Sequence, residues 1–275
     1  MSAAGDLKRG RRRAARPWQA AAARLREASP RPNRFAGAYP DRETALAALP
    51  PHQRAGYDDP GAVEISRAEM TRIALADWPV IHFLSRWLTP GAQVLDAGGH
   101  LGTKRVAFEA VLDLSHTGWT VLDLPAICAA GTRMVADGRL PAGLGFVTDP
   151  ADAPAPDILL ASGLLQYLDR PLAELVAALP ARPRAILLNK VALRDGPEVV
   201  TLERIGPARV PYRMRDAAAF RRELDALGYR QVAAWEIPEL AHLIPTHPGL
   251  GPSRSCGFAL LDDASPATVS GEARD

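Results

Sequence analysis

After Pro90 the chain alternates short apolar runs with segments whose apolar residues recur at helical spacing. QVLDA (93–97), GWTVLDL (118–124), GFVTD (145–149), DILLAS (157–162) and RAILLNKVAL (184–193) read as buried strands. TKRVAFEAVLDL, PAICAAGTRMVADG, RPLAELVAAL and DAAAFRRELDALGY lie between or after them and read as helices, the last stopped by Gly228. RQVAAWEI and SCGFALLD add two strands near the end. Strand–helix alternation of this kind predicts an α/β domain with a doubly wound, mainly parallel sheet and helices on both faces. Upstream, from 41 to 88, the period is helical in DRETALAAL, AVEISRAEMTRIALADW and WPVIHFLSRWL, with Pro79 placed to break or restart a helix. The leader is therefore expected to form an N-terminal helical cap.

Composition narrows the class. The chain has 275 residues, 47% of them hydrophobic, enough for one large α/β domain with appendages. No apolar stretch approaches the roughly 20 residues of a membrane span, and the basic start lacks a signal-peptide pattern. The two cysteines, Cys128 and Cys256, have no zinc-site spacing and suit a reducing cytoplasm as buried free thiols. Charge is uneven: residues 1–34 carry ten Lys or Arg against Asp6 and Glu27, a surplus of eight in a chain whose net charge is +2. The rest is acidic, which argues against a large nucleic-acid footprint. KRGRRRAAR has the chemistry to touch phosphates or anionic lipid, but a solvated tail has the same composition, and no partner is assigned to it. The expected organisation is a basic disordered arm over 1–33, a domain over 34–262 (leader 34–90, core 91–262) and a disordered tail over 263–275.

In a doubly wound sheet the ligand sits at the carboxyl ends of the strands, and the turn after the first strand is part of its site. Here that turn is VLDAGGHLG (94–102), whose glycines let backbone approach a ligand closely. Spacing alone also permits a degenerate dinucleotide fingerprint with Ala97 in place of the first glycine. Charge separates the two readings. A pyrophosphate near the Asp96 carboxylate would be opposed by about a kcal/mol or more, whereas a sulfonium and ammonium would be favoured. Asp123, 21 residues beyond Gly102, ends a strand where a carboxylate can accept both ribose hydroxyls, or can cap the helix starting at Pro125.

VLDAGGHLG, WTVLDLP, DILLASGLLQYL and VTLERIGPARVPYRM with RELDALGY, preceded by RFAGAYPDRETALAAL and GYDDP, resemble a family of class I S-adenosyl-L-methionine-dependent methyltransferases. The resemblance spans about residues 34–262 and implies a Rossmann-like seven-stranded sheet and that cofactor. Its members are often linked to surface-polysaccharide biosynthesis. By this resemblance Asp96, Gly98, Gly99 and Gly102 surround the methionine end and Asp123 the ribose. Leu124 lies against the adenine and Asp149 near its amine, while Ser162, Gly163 and Gln166 face the methyl and its acceptor. His100 stands where the usual turn has glycine.

SGLLQYL after the fourth strand lacks the Asn/Asp-Pro-Pro-aromatic run of amine methylation on bases, and neither cysteine follows a proline as a pyrimidine-carbon enzyme needs. An oxygen acceptor on a small molecule or saccharide is left by elimination. His100 is the candidate general base, its ring expected to point either into the pocket or outward, and Gln166 is a second candidate catalytic residue. His82 reads as a core residue, His242 and His247 as candidate lid residues, and Tyr39 and Tyr57 as aromatic covers or anchors. A non-catalytic Rossmann-like binding or assembly protein and an NAD-linked oxidoreductase are the other readings.

Overall fold

A computed structural model describes residues 17–29, 31–50, 53, 72–206 and 208–263. The stretches KRGRRRAAR, GYDDP and AVEISRAEM, with His52, Tyr57 and the tail beyond 263, lie outside the described residues.

Ten strands form one sheet. Seven of them build the doubly wound core: β2 (Gln93–Ala97), β3 (Gly118–Leu122), β4 (Leu144–Val147), β5 (Ile158–Ser162), β6 (Ala185–Arg194), β9 (Tyr229–Glu236) and β10 (Arg254–Asp262). Their spatial order is β4-β3-β2-β5-β6-β10-β9, with β10 antiparallel to both its neighbours and the other six in one direction. The chain winds outward from β2 through β3 to β4, then returns to β5 on the other side of β2. That reversal leaves a crevice at the carboxyl ends of β2 and β5. The central strands read as continuous apolar runs because both faces are covered: Ile158, Leu159, Leu160 and Ala161 are all fully buried. Each Leu or Ile so placed contributes about 1.5–3 kcal/mol of burial.

Three further strands form an antiparallel ladder that sequence periodicity did not foretell. β1 (Phe35–Tyr39) pairs with β7 (Val199–Ile205), which pairs with β8 (Ala208–Asp216). The ladder pairs with the core sheet where Leu193 and Arg194 of β6 meet Arg215 and Asp216. The leader is thus not wholly helical, since FAGAY is a strand. Among the described residues its α-helices are α2 (Arg42–Ala47) and α3 (Trp78–Trp87), with Pro79 in the first turn of α3 where a missing N–H costs nothing.

A helix over 17–26, α1, and the turn after it lie within the stretch expected to be a disordered arm. Ala20 and Ala23 are buried. Glu27 accepts from Arg209 of β8 and from the backbone and side chain of Asn33, and Arg24 donates to the Thr246 carbonyl at 3.3 Å. Alanines are small enough to bring α1 close, so its docking left no long apolar stripe to read.

The remaining helices fall where the pattern placed them, though shorter: α4 (Thr103–Phe108), α5 (Pro125–Ala136), α6 (Leu172–Ala177) and α7 (Ala217–Ala226). Asp216 caps α7 by accepting the Ala219 N–H at 2.6 Å, and Gly228 takes a left-handed φ of 70° just beyond its end.

Arg209 is nearly sealed, its side chain 10% exposed, and depends on Glu27 for its counter-charge. Glu27→Gln should lower unfolding free energy by roughly 1–3 kcal/mol, since it leaves a largely buried guanidinium without a full partner. Urea denaturation reads this directly; an unchanged midpoint would mean that the Glu27–Arg209 pair adds nothing to the fold.

Candidate functional site

The turn after β2 contains three left-handed residues: Gly98 at φ 73°, His100 at 55° and Gly102 at 70°. His tolerates this region better than most side chains do. The backbone N–H of His100 donates to Asp123 Oδ2 at 2.8 Å, while Asp123 Oδ1 accepts the N–H of Leu124, also at 2.8 Å. One carboxylate thereby joins the turn after β2 to the turn after β3. Asp123 is not the N-cap of α5; that position is Leu124, and no side chain caps it. Burial pushes the Asp123 carboxyl above the ordinary range, against the pull of the two N–H donors and the His100 ring.

Gly99 has no room for a side chain, since a Cβ there would fall 2.6 Å from the Asp96 carboxyl carbon. Asp96 therefore lies directly beneath the turn, 1% exposed, and accepts from Trp119 Nε1 at 3.2 Å. Burial raises its pKa to about 7, opposed by the Trp119 hydrogen bond and the Lys104 charge and aided by Asp123. At Gly98 a Cβ would come within 3.0 Å of Leu164, in the turn after β5, so the two walls of the crevice meet at that glycine. Gly102 is crowded by Leu144, 2.5 Å from an added Cβ.

The His100 ring does not point out to solvent: it is 5% exposed, and its Nδ1 is buried without a hydrogen-bond partner. Burial lowers its pKa, and the Asp123 charge acts in the opposite direction. Across the crevice Ser162 ends β5 in register with Asn189 of β6, and its Oγ lies 3.4 Å from Asn189 Nδ2. Gly163 follows at φ 85°, and buried Gln166 has an unpartnered Oε1 while its carbonyl accepts the Arg213 N–H at 2.8 Å. Leu124 is exposed next to Asp123, an apolar surface at the mouth of the site. Asp149 is exposed and caps the short turn after β4 through the Ala151 N–H at 2.9 Å, so its loop role has a geometry of its own.

The structure thus brings Asp96, Gly98, Gly99, His100, Gly102, Asp123 and Leu124 to one crevice edge and Ser162, Gly163 and Gln166 to the other. The remaining histidines stand elsewhere. His82 is exposed on α3, not in the core, with its ring against Phe83. His242 packs on Phe35 and Tyr212 of the antiparallel ladder, where burial and the Arg34 charge lower its pKa to about 4. His247 hydrogen-bonds Thr246. Sequence reasoning missed Trp119 as the partner of Asp96, and also a buried ion cluster: Asp77, just before α3, lies between Lys104 of α4 and Lys190 of β6. A lysine inside the apolar run LLNKVAL was its visible signal.

No family model matches the chain, and no curated protein matches it. Solved structures resemble it in part, each at a TM-score below 0.5. The 1,6-didemethyltoxoflavin-N1-methyltransferase of Burkholderia thailandensis, with bound S-adenosylhomocysteine, is 21% identical, covering 78% of this chain and 92% of that one at a TM-score of 0.46. A glycopeptide N-methyltransferase, MtfA, is 18% identical over 69% and 91% of the two chains at 0.43. An O-methyltransferase from neocarzinostatin biosynthesis is 18% identical over 68% and 56% at 0.40. The likeness is one of chain path; reactions and substrates do not pass across it.

The Asp96 carboxyl gives the site a pH signature. Its folded-state pKa, about 7, lies above the 3.8 of an exposed Asp. Its contribution to stability is therefore fully present below about pH 4 and is lost as pH rises toward 7. Asp96→Asn, which keeps an oxygen for Trp119, should raise stability near pH 8 by up to about 4 kcal/mol, from roughly three pH units at 1.36 kcal/mol each, and change it little near pH 4. Urea denaturation of both proteins at the two pH values gives the difference; equal differences would mean that Asp96 keeps an ordinary pKa.

Proposed function

We propose that this chain is an S-adenosyl-L-methionine-dependent methyltransferase of the class I, Rossmann-like kind, acting on a hydroxyl of a small molecule or saccharide. The observation that carries the reading is the pair of carboxylates at the glycine turn, Asp96 beneath it and Asp123 bonded to its backbone, each with its pKa raised by burial. A pyrophosphate brought to this turn would add negative charge where two acids already resist ionising. A cationic ligand would relieve them. This weighs against an NAD-linked oxidoreductase.

The residues fit such a cofactor. Gly98 and Gly99 let the turn pack directly on Leu164 and Asp96, and Asp123 has a second lone pair on each oxygen for ribose hydroxyls beyond the two N–H bonds it already accepts. Leu124 offers an exposed apolar face for the adenine, with Asp149 beyond it for the amine. The bound cofactor supplies an electrophilic methyl group. The chain's task is to hold an acceptor oxygen in line and take its proton.

Ser162 and Gln166 stand at the acceptor side of the crevice. His100 is the base of this reading: burial keeps its imidazole neutral, and its Nδ1 has no partner to occupy its lone pair or proton. A surface saccharide remains the acceptor class implied by the family resemblance, with polysaccharide biosynthesis as its setting. No helix among the described residues is long and apolar enough to cross a membrane.

Calorimetry against adenosylhomocysteine, adenosylmethionine and NAD tests the reading. The first two should bind and NAD should not, and Asp123→Ala should weaken adenosylhomocysteine by roughly 1.5–3 kcal/mol, the scale of a charge-assisted hydrogen bond. Binding of NAD alone would replace the reading with an oxidoreductase; binding of adenosylhomocysteine without turnover of any hydroxyl would favour a non-catalytic binding protein. His100→Asn, which tolerates the same left-handed backbone, should cut methyl transfer to the acceptor by roughly 10²-fold with cofactor affinity retained. Turnover within a few-fold of wild type would remove His100 as the base.

A further inference from the structure

Among the described residues only His100 and Lys190 combine a side chain with a left-handed backbone, Lys190 at φ 60° in the middle of β6. A bulge puts it there. β10 pairs Cys256 with Val191 and Phe258 with Leu188, so Asn189 and Lys190 together face Gly257. Gly257 is bare because a Cβ would fall 2.1 Å from the Trp235 ring. The same ring donates from Nε1 to Asn189 Oδ1 at 3.1 Å, and Asn189 Nδ2 donates to the Ala76 carbonyl at 3.0 Å. The bulge is held from three sides, and it re-aims the lysine out of the ladder toward the crevice.

There Lys190 Nζ lies 3.5 Å from Asp77 Oδ1. Yet Asp77 is already satisfied: Lys104 Nζ donates to both its oxygens at 2.8 Å, and the Ala74 N–H donates to Oδ2 at 3.0 Å. Asp77 is fully buried, whereas the Lys190 side chain is 25% exposed. Around Asp77 two ammonium groups thus face one carboxylate; Lys104 is seated on it and also feels Asp96, and the ammonium left over is that of the more open Lys190. Burial and the neighbouring Lys104 both press Lys190 toward its neutral form, with Asp77 resisting. An internal ion pair alone does not account for a second ammonium kept at a strained backbone position.

The surplus faces the binding crevice. The Lys190 side chain runs past Gly163, its Cδ 4.0 Å from where a Cβ on that glycine would be, and Lys104 stands in the first turn of α4, directly after the glycine turn. One unit of positive charge between the turns after β2 and β5 matches one carboxylate. We infer that Lys190, with Asp77 and Lys104 positioning it, binds the α-carboxylate of the amino-acid portion of the cofactor. The inference rests on the adenosylmethionine reading and adds a residue and a chemical group to it.

Calorimetry with two probes separates the possibilities: adenosylhomocysteine, and its decarboxylated analogue, which keeps the amine and lacks the carboxylate. Wild type should prefer adenosylhomocysteine by about tenfold or more, the lower end for a charged hydrogen bond. Lys190→Gln should bring adenosylhomocysteine down to the analogue's affinity and leave the analogue unchanged, and Lys190→Arg should restore much of the difference. Lys190→Gly, whose backbone accepts φ 60° freely, should lose the same preference while melting no lower than Lys190→Gln, which guards against misfolding as the cause. If both probes weaken equally in the variants, or neither does, Lys190 is a structural residue and the inference is wrong. Wild type that binds neither probe would overturn the cofactor reading itself, a different result from intact binding that ignores Lys190.

Discussion

The Asp123 carboxylate is the constraint on which the site depends. The turn after β2 has to carry Gly98, His100 and Gly102 in left-handed backbone within five residues, and at His100 that conformation costs about 1–2 kcal/mol. The hydrogen bond from the His100 N–H to the Asp123 carboxyl, about 0.5–1.5 kcal/mol for an ordinary pair, offsets that cost. The same carboxylate also takes the Leu124 N–H, so the start of α5 is set in register with the glycine turn. Cys128 Sγ, one turn into α5, reinforces the register by approaching the carbonyls of Asp123 and Val147 at 3.3 and 3.2 Å. The carboxyl ends of β2, β3 and β4 are thus tied together.

Charge is then sorted across the switch point. On the β2–β3 side two acids are buried with raised pKa values. On the β5–β6 side Lys190 faces Asp77, whose carboxylate is already paired with Lys104 of α4. Lys104 belongs to both fields, since it pairs with Asp77 and its charge also lowers the pKa of Asp96. A ligand carrying positive and negative groups at one end matches this division; a uniformly anionic one matches only half of it.

The doubly wound core was legible because its strands are buried on both faces and so appear as unbroken apolar runs, ILLAS and AILLN being the clearest. The antiparallel ladder was not legible. FAGAY contains Gly37, at φ 78°, and pairs with a strand more than 160 residues later, an association that leaves no local period. VPYRM has Pro211 in mid-strand, which argues against a strand until the pairing with Leu202 is known. The site divided along the same line. Asp96, the glycines and Asp123 fall in two short motifs of fixed spacing, which made them candidates from the sequence, and the fold places them side by side. Asp77, Trp119 and Lys190 come from three distant segments, and only the fold brings Asp77 and Lys190 together at the β5–β6 wall of the crevice.

That wall changes the standing of the leader. Asp77 and the Ala76 carbonyl precede the first core strand, yet one anchors both lysines and the other fixes the Asn189 bulge. Arg34, at the start of β1, donates to Glu203 at 2.9 and 2.7 Å, and Glu203 in turn accepts the Tyr167 hydroxyl at 2.6 Å from the turn after β5. Two separate parts of the leader therefore hold the β5 and β6 ends of the crevice, one through a buried carboxylate at the lysines and one through a buried carboxylate at Tyr167. A core of seven strands without the leader would keep the glycine turn and Asp123, and so one half of the crevice. It would lose Asp77, the buried counter-charge that seats Lys104 and faces Lys190, which makes the leader a structural component of the site and not a cover laid over a finished one.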